Sequence, residues 1–186
     1  LPEVDGRIIS RAISFKGFGQ RSVLTQSDVV EYQGLPDRIA FVCELAQRWC
    51  RLRSLANAKK RVALILANYP TREGRLGNGV GLDTPASGIA ILQRLRDEGY
   101  AVTDIPADGD ALMQILKQGV TNDPEQWALR PARQSLALAD YQAFFAGLPE
   151  ANRAAIVARW GAPEADPMLR QGRFMIAGLR LGQVFV

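Results

Sequence analysis

The sequence predicts an α/β fold, a parallel, Rossmann-like sheet flanked by helices, and two observations carry the prediction. The first is the order of elements around residues 62–87. An apolar run, Val62-Ala63-Leu64-Ile65-Leu66-Ala67, feeds a glycine-rich loop that ends in the helix start Asp83-Thr84-Pro85. A near-continuous apolar run without alternation is the pattern of a strand buried on both faces. The second is the alternation that follows, strand then helix then strand then helix with short connections, which favours right-handed parallel crossovers.

Element by element, residues 7–15 alternate weakly and read as a strand, and residues 17–33, with Gly17 and Gly19, read as a loop. Pro36-Asp37 opens a helix whose Ile39, Val42, Cys43, Ala46, Trp49 and Cys50 keep helical spacing. Arg48, Arg51 and Arg53 lie off that face and load its last turns, where cations complement the helix dipole; they read as a solvated helix end. After the glycine-rich loop, Thr84 is the expected N-cap with Pro85 at the first helical position. Ile89, Leu92 and Leu95 then share a face, and Gly99 stops the helix. Residues 100–105 read as a second strand. Asp108-Gly109-Asp110 opens a helix bearing Leu112, Ile115 and Leu116. A helical turn is expected near Asp123-Pro124 and Trp127, then helices over 135–147 and 149–160, with Gly161 as a stop. A two-proline acidic loop, Pro163-Glu164-Ala165-Asp166-Pro167, leads into a final β region from Arg173.

Composition narrows the function classes. The 186 residues are 47% hydrophobic and 23% charged, the proportions of a soluble globular protein. A net charge of +4 spread over scattered basic residues does not call for nucleic acid. No apolar run approaches the ~20 residues of a membrane span, and no signal peptide is evident. The chain starts at Leu1 and stops in an apolar strand-like run, which reads as a piece excised from a longer multidomain protein. One α/β domain over 1–186, or a domain and part of the next, is expected, with a sub-boundary near 161–172. Histidine is absent, which removes the commonest metal ligand and neutral-pH base and excludes a Ser-His or Cys-His nucleophile. Cys43 and Cys50 stand seven apart on one helix, a rise of ~10 Å, so they cannot bridge. They read as buried structural thiols in a reducing cytoplasm, and their spacing does not suggest zinc.

The glycine-rich loop is the candidate site. A nucleotide reading fails twice: a P-loop needs Lys and Ser or Thr at the helix start, whereas Asp83 stands there, and the loop is too long for a dinucleotide fingerprint. Arg72 and Arg75 on a glycine-flanked backbone suit a ligand with several carboxylates, each bound bidentately. Asn68, Asn78, Thr84 and Ser87 can add neutral hydrogen bonds. The competing reading pairs Arg72 with Glu73 or Asp83 and leaves the loop merely crossing the sheet edge. Glu164 and Asp166 offer oxygen ligands to a divalent ion, or simply form a rigid surface turn; no resident metal is expected.

The run NYPTREGRLGNGVGLDTPAS, from Asn68 to Ser87, resembles a signature of the cobaltochelatase and magnesium chelatase large-subunit family, in the form of its cobalt branch. LPEVDGRIISRAISFKG, PDRIAFVCELAQRWCRLR, RWGAPEADP and GRFMIAGLRLGQVFV extend that resemblance over the whole chain. It implies a role in tetrapyrrole binding and insertion of cobalt, a substrate ion, into hydrogenobyrinic acid a,c-diamide in cobalamin biosynthesis. It also implies that ATP, with Mg2+, is hydrolysed by companion subunits, one an AAA+ motor, which agrees with the missing P-loop. On this resemblance Asn68, Tyr69, Arg72, Arg75, Asn78, Thr84 and Ser87 are the substrate-binding candidates. Metal insertion needs a base for two pyrrole protons, and Asp83 and Glu164 are the candidates. The alternatives are a non-catalytic scaffold or docking domain of the chelatase, the magnesium enzyme's large subunit, or an unrelated domain for an acidic small molecule.

Overall fold

A computed structural model of the chain describes residues 6, 8–67, 76–121 and 129–186. The chain divides into two compact units, Leu1–Leu55 and Ala56–Val186.

The first unit is a β-hairpin followed by a helix. Strands β1 (Ser14–Arg21) and β2 (Asp28–Gly34) pair antiparallel, Ser14 opposite Gly34 and Phe18 opposite Val30, with an irregularity between Phe18 and Arg21. The hairpin lies where the sequence predicts a loop. Gly17 and Gly19 look like punctuation, yet they are strand residues that leave room for neighbours: a Cβ on Gly17 would collide with the Gln33 side chain, and one on Gly19 would press on Glu31. Helix α1 (Pro36–Ser54) starts at a proline, as expected. Its half-buried positions are Arg38, Val42 and Leu45, and it has no buried residue. The expected apolar face is therefore rotated, and Cys43 and Cys50, predicted to be buried, are exposed.

The described residues of the second unit form two three-stranded sheets. The first has the order β3-β8-β7, from β3 (Val62–Ala63), β7 (Arg180–Leu181) and β8 (Val184–Phe185). The second has the order β4-β6-β5, from β4 (Gln134–Ala137), β5 (Leu169–Arg170) and β6 (Arg173–Ile176). Among the described residues only β3 and β8 pair parallel, over two residues each, and the other strand pairs are antiparallel. No parallel Rossmann-like sheet forms among the described residues. Residues 100–105 do not pair as a strand: Val102 is buried, but its N–H bonds the Tyr100 carbonyl, and Asp104 has φ +53. The run 62–67 is not buried on both faces either. Its residues alternate between half-buried and exposed, with Ile65 89% exposed.

Helices α2 (Thr84–Asp97) and α3 (Gly109–Gln118) cover the first sheet. Leu92, Leu112 and Val184 are fully buried in the core they form with Ile89, Val102 and Leu181. The two helices start side by side, since a Cβ on Gly109 would meet Pro85 and the Ala86 nitrogen. Helix α4 (Leu138–Ala146) follows β4 directly, so the expected helix over 135–147 gives its first residues to a strand. Helix α5 (Glu150–Trp160) ends at Gly161 with φ +87, a left-handed stop that glycine takes without strain. The turn expected near Asp123 and Trp127 lies outside the described residues. No described helix is long and apolar enough to cross a membrane.

Candidate functional site

The parallel pair of strands aims the chain at the candidate site. Val62 N–H donates to the Gln183 carbonyl at 3.1 Å and Leu64 N–H to the Phe185 carbonyl at 2.8 Å, which fixes the exit of β3. Beyond it, Gly77 N–H donates to the Ala67 carbonyl at 2.8 Å. That bond ties the two ends of the glycine-rich loop together, with residues 68–76 between them. Gly77 has φ +69, a conformation that glycine adopts freely, beside Met113 and Pro85. Gly79 and Leu82 then pair across a tight turn that delivers the chain to α2.

At the start of α2, Asp83 and not Thr84 is the N-cap. Its carboxylate accepts the Ala86 N–H at 3.0 Å, and its carbonyl accepts the Ser87 N–H at 2.9 Å. Thr84 turns its hydroxyl against Gly79, where a Cβ would crowd it. Asp108 caps α3 in the same way, accepting from Ala111 at 2.8 Å. Both helix starts thus carry a carboxylate on a free N–H group. Replacing Asp83 with alanine is expected to lower stability by about 1 kcal/mol. Asparagine, which keeps the acceptor, should restore most of it in the same melting experiment.

The structure therefore brings Asn78, Asp83, Thr84 and Ser87 to one end of α2, with Asn78 exposed and Thr84 and Ser87 half-buried. Asn68, Tyr69, Arg72 and Arg75 lie outside the described residues. Glu164 is not part of this group. It sits on a short 3-10 turn, Pro163–Ala165, and accepts from Gln142 on α4 at 2.6 Å. Among the described residues no three His, Cys, Asp or Glu side chains gather to hold a metal ion.

Sequence reasoning missed a cleft of about 240 Å³ at the foot of the loop. Leu64, Leu66 and Leu76 line it from the loop's two ends, Leu116 and Val120 from α3 and the residues after it, and Phe185 from β8. It is chiefly apolar, with Thr121 a buried polar residue in its wall. Six separated stretches of the described chain contribute, so no local motif announces it; the signal in the sequence was the apolar run entering the loop.

Residues 1–186 match the family model described as CobN/Magnesium Chelatase. The chain belongs to this family. The family reading of the sequence is thus borne out. An aerobic cobaltochelatase subunit CobN of Pseudomonas aeruginosa is 59% identical over 186 residues, covering all of this chain and 15% of that protein. A magnesium-chelatase subunit of Chlorobaculum parvum is 30% identical over 193 residues and is covered for 13% of its length. The catalytic subunit of cobaltochelatase from Mycobacterium tuberculosis superposes on 99% of this chain with a TM-score of 0.75 at 37% identity; 15% of that protein is covered. The chain thus spans a small part of the large subunits that it resembles.

Proposed function

We propose that this family member is part of the large, catalytic subunit of an ATP-dependent cobaltochelatase, and that its glycine-rich loop helps hold the tetrapyrrole. The observation that carries this reading is the 59% identity, along every residue of the chain, with an aerobic cobaltochelatase subunit. The lower 30% identity with a magnesium-chelatase subunit favours the cobalt branch. The substrate is then hydrogenobyrinic acid a,c-diamide, with the cobalt ion as second substrate and ATP and Mg2+ handled by companion subunits, one of them an AAA+ motor, in the cytoplasm.

The site geometry supports a division of labour. A cleft of about 240 Å³ is too small to enclose a tetrapyrrole, but its apolar walls suit one hydrocarbon edge of the macrocycle. Arg72 and Arg75, on the loop that springs from the rim of this cleft, bind the substrate's carboxylate arms bidentately. Asn68, Tyr69, Asn78, Thr84 and Ser87 add neutral hydrogen bonds around them. Insertion places Co2+ on the ring nitrogens and releases two pyrrole protons, which need an acceptor. Asp83, beside the loop, and Glu164 are the carboxylate candidates; each holds one hydrogen bond, from the Ala86 N–H and from Gln142 respectively.

Quenching of tryptophan emission in the full-length subunit tests the reading. An Arg72→Ala/Arg75→Ala variant that melts like wild type should lose about 2 kcal/mol or more of affinity for the tetrapyrrole, the scale of broken charged hydrogen bonds. Unchanged affinity would move substrate binding away from the loop. Asp83→Asn separates cap from base: it keeps the Ala86 hydrogen bond while removing proton affinity. A slower insertion rate at unchanged tetrapyrrole affinity is expected, and an unchanged rate would remove Asp83 from the proton path.

A further inference from the structure

A second cleft, of about 150 Å³, opens where α4, α5 and residues 161–166 meet. Its walls include Tyr141, Trp160 and Phe174, with Ile156 and Pro163, and one carboxylate, Asp166. The rings are held in place. Tyr141 packs edge-on against Phe174 at 5.0 Å between centroids and stacks on Phe145 at 5.9 Å. Trp160, at the end of α5, is 76% exposed, a large ring that this chain leaves uncovered.

Asp166 is half-buried and Glu164 exposed. One oxygen of Asp166 accepts the Met168 N–H at 2.7 Å, and one oxygen of Glu164, two residues earlier, accepts from Gln142 at 2.6 Å. No other donor among the described residues reaches either carboxylate. Aromatic faces next to a carboxylate with a free oxygen attract an organic cation: the ring quadrupole and the anion act on the same charge. An apolar guest would leave the carboxylate desolvated and unpaired. The guanidinium of the neighbouring Arg159 lies 5.2 Å from the Trp160 ring centroid. Arg159 is not among the residues lining the cleft, so its charge does not fill it.

We propose that this cleft is a binding site for an organic cation, the head of a basic side chain presented by a companion polypeptide. It is independent of the tetrapyrrole reading and uses Asp166, to which that reading gives no role.

The test is a calorimetric titration of the full-length subunit with choline and with its neutral isostere 3,3-dimethylbutan-1-ol. Choline should bind saturably, and the isostere about tenfold more weakly. Trp160→Ala should weaken choline binding about tenfold. Asp166→Asn, which keeps an acceptor for the Met168 N–H, should weaken choline several-fold and leave the isostere unaffected. N-acetylarginine amide should displace choline. Equal affinity for choline and the isostere would make the cleft merely apolar and overturn the proposal. Binding unchanged in Trp160→Ala would put the cation elsewhere. Absence of saturable binding would mean that the protein fills or closes the cleft itself, and failure of the arginine derivative to compete would exclude a basic side chain as the guest.

Discussion

Leu92→Ala or Leu112→Ala is expected to accelerate amide exchange throughout α2 and α3 by roughly a hundredfold or more in the full-length subunit. Both side chains are fully buried where the two helices meet the first sheet. Truncating a buried leucine removes its transfer energy and leaves a cavity, a cost of roughly 3–4 kcal/mol. In a long multidomain protein this loss appears as local opening and not as one global melt. Each 1.4 kcal/mol corresponds to about a tenfold change in the open population. Ile91→Ala is the control, because Ile91 lies on the same helix at 44% exposure and should change exchange little. The consequence reaches the site, since α2 carries Asp83, Thr84 and Ser87 at its first turn. Tetrapyrrole affinity should fall in step with protection of α2. Affinity unchanged in a variant whose α2 exchanges fast would disconnect that helix from substrate binding.

Helices α2, α3 and α5 of the second unit were legible because each carries its own punctuation. Asp83 and Pro85 start α2, Asp108 starts α3, and Gly161 stops α5, all within a few residues of sequence. The sheets were not legible because pairing is a non-local decision. The run 62–67 has the composition of a central strand, yet only Val62 and Ala63 sit in a ladder, opposite Val184 and Phe185 at the far end of the chain. Residues 100–105 have the same apolar character, but they turn back on themselves at Val102 and serve as a seat for the β7–β8 turn. Gly17 and Gly19 misled in the opposite sense. They were read as loop signals, whereas the register places them opposite or beside Glu31 and Gln33, whose side chains take the space. The rotated face of α1 has a similar origin: six apolar residues span an arc wider than the stripe that contacts the hairpin unit, and spacing alone does not choose the stripe's centre.

The candidate site divides along the same line. The loop and its cap residues were visible because glycine, proline and aspartate have strong local preferences. The two clefts, built from side chains far apart in sequence, were not. The acidic loop illustrates the difference well. Alone, Glu164 and Asp166 read as a metal site or a surface turn, and only the fold sets Asp166 in one cleft with Tyr141, Trp160 and Phe174 while Glu164 accepts from Gln142.

Gly182→Ala should be among the most damaging single-methyl changes in the second unit, at about 3 kcal/mol. Gly182 begins the two-residue turn between β7 and β8 with φ +67, where an L side chain costs ~1–2 kcal/mol. The added Cβ would also run into the Ala101 carbonyl oxygen. That same oxygen accepts the Gln183 N–H at 2.8 Å, so relief of the clash lengthens or breaks this hydrogen bond. Ala101 and Gln183 are half-buried, and loss of their hydrogen bond adds ~1 kcal/mol. The strain does not stay in the turn, because β8 is the strand that holds β3, and β3 aims the glycine-rich loop. Amide exchange in the full-length subunit should therefore rise in β8 and in residues 62–64 as well as at the turn, with weaker tetrapyrrole binding. Gly99→Ala separates the two causes, since Gly99 has φ +81 but open space where a Cβ would go. It should show the torsional cost alone, and equal effects at both positions would mean that the contact with Ala101 contributes nothing.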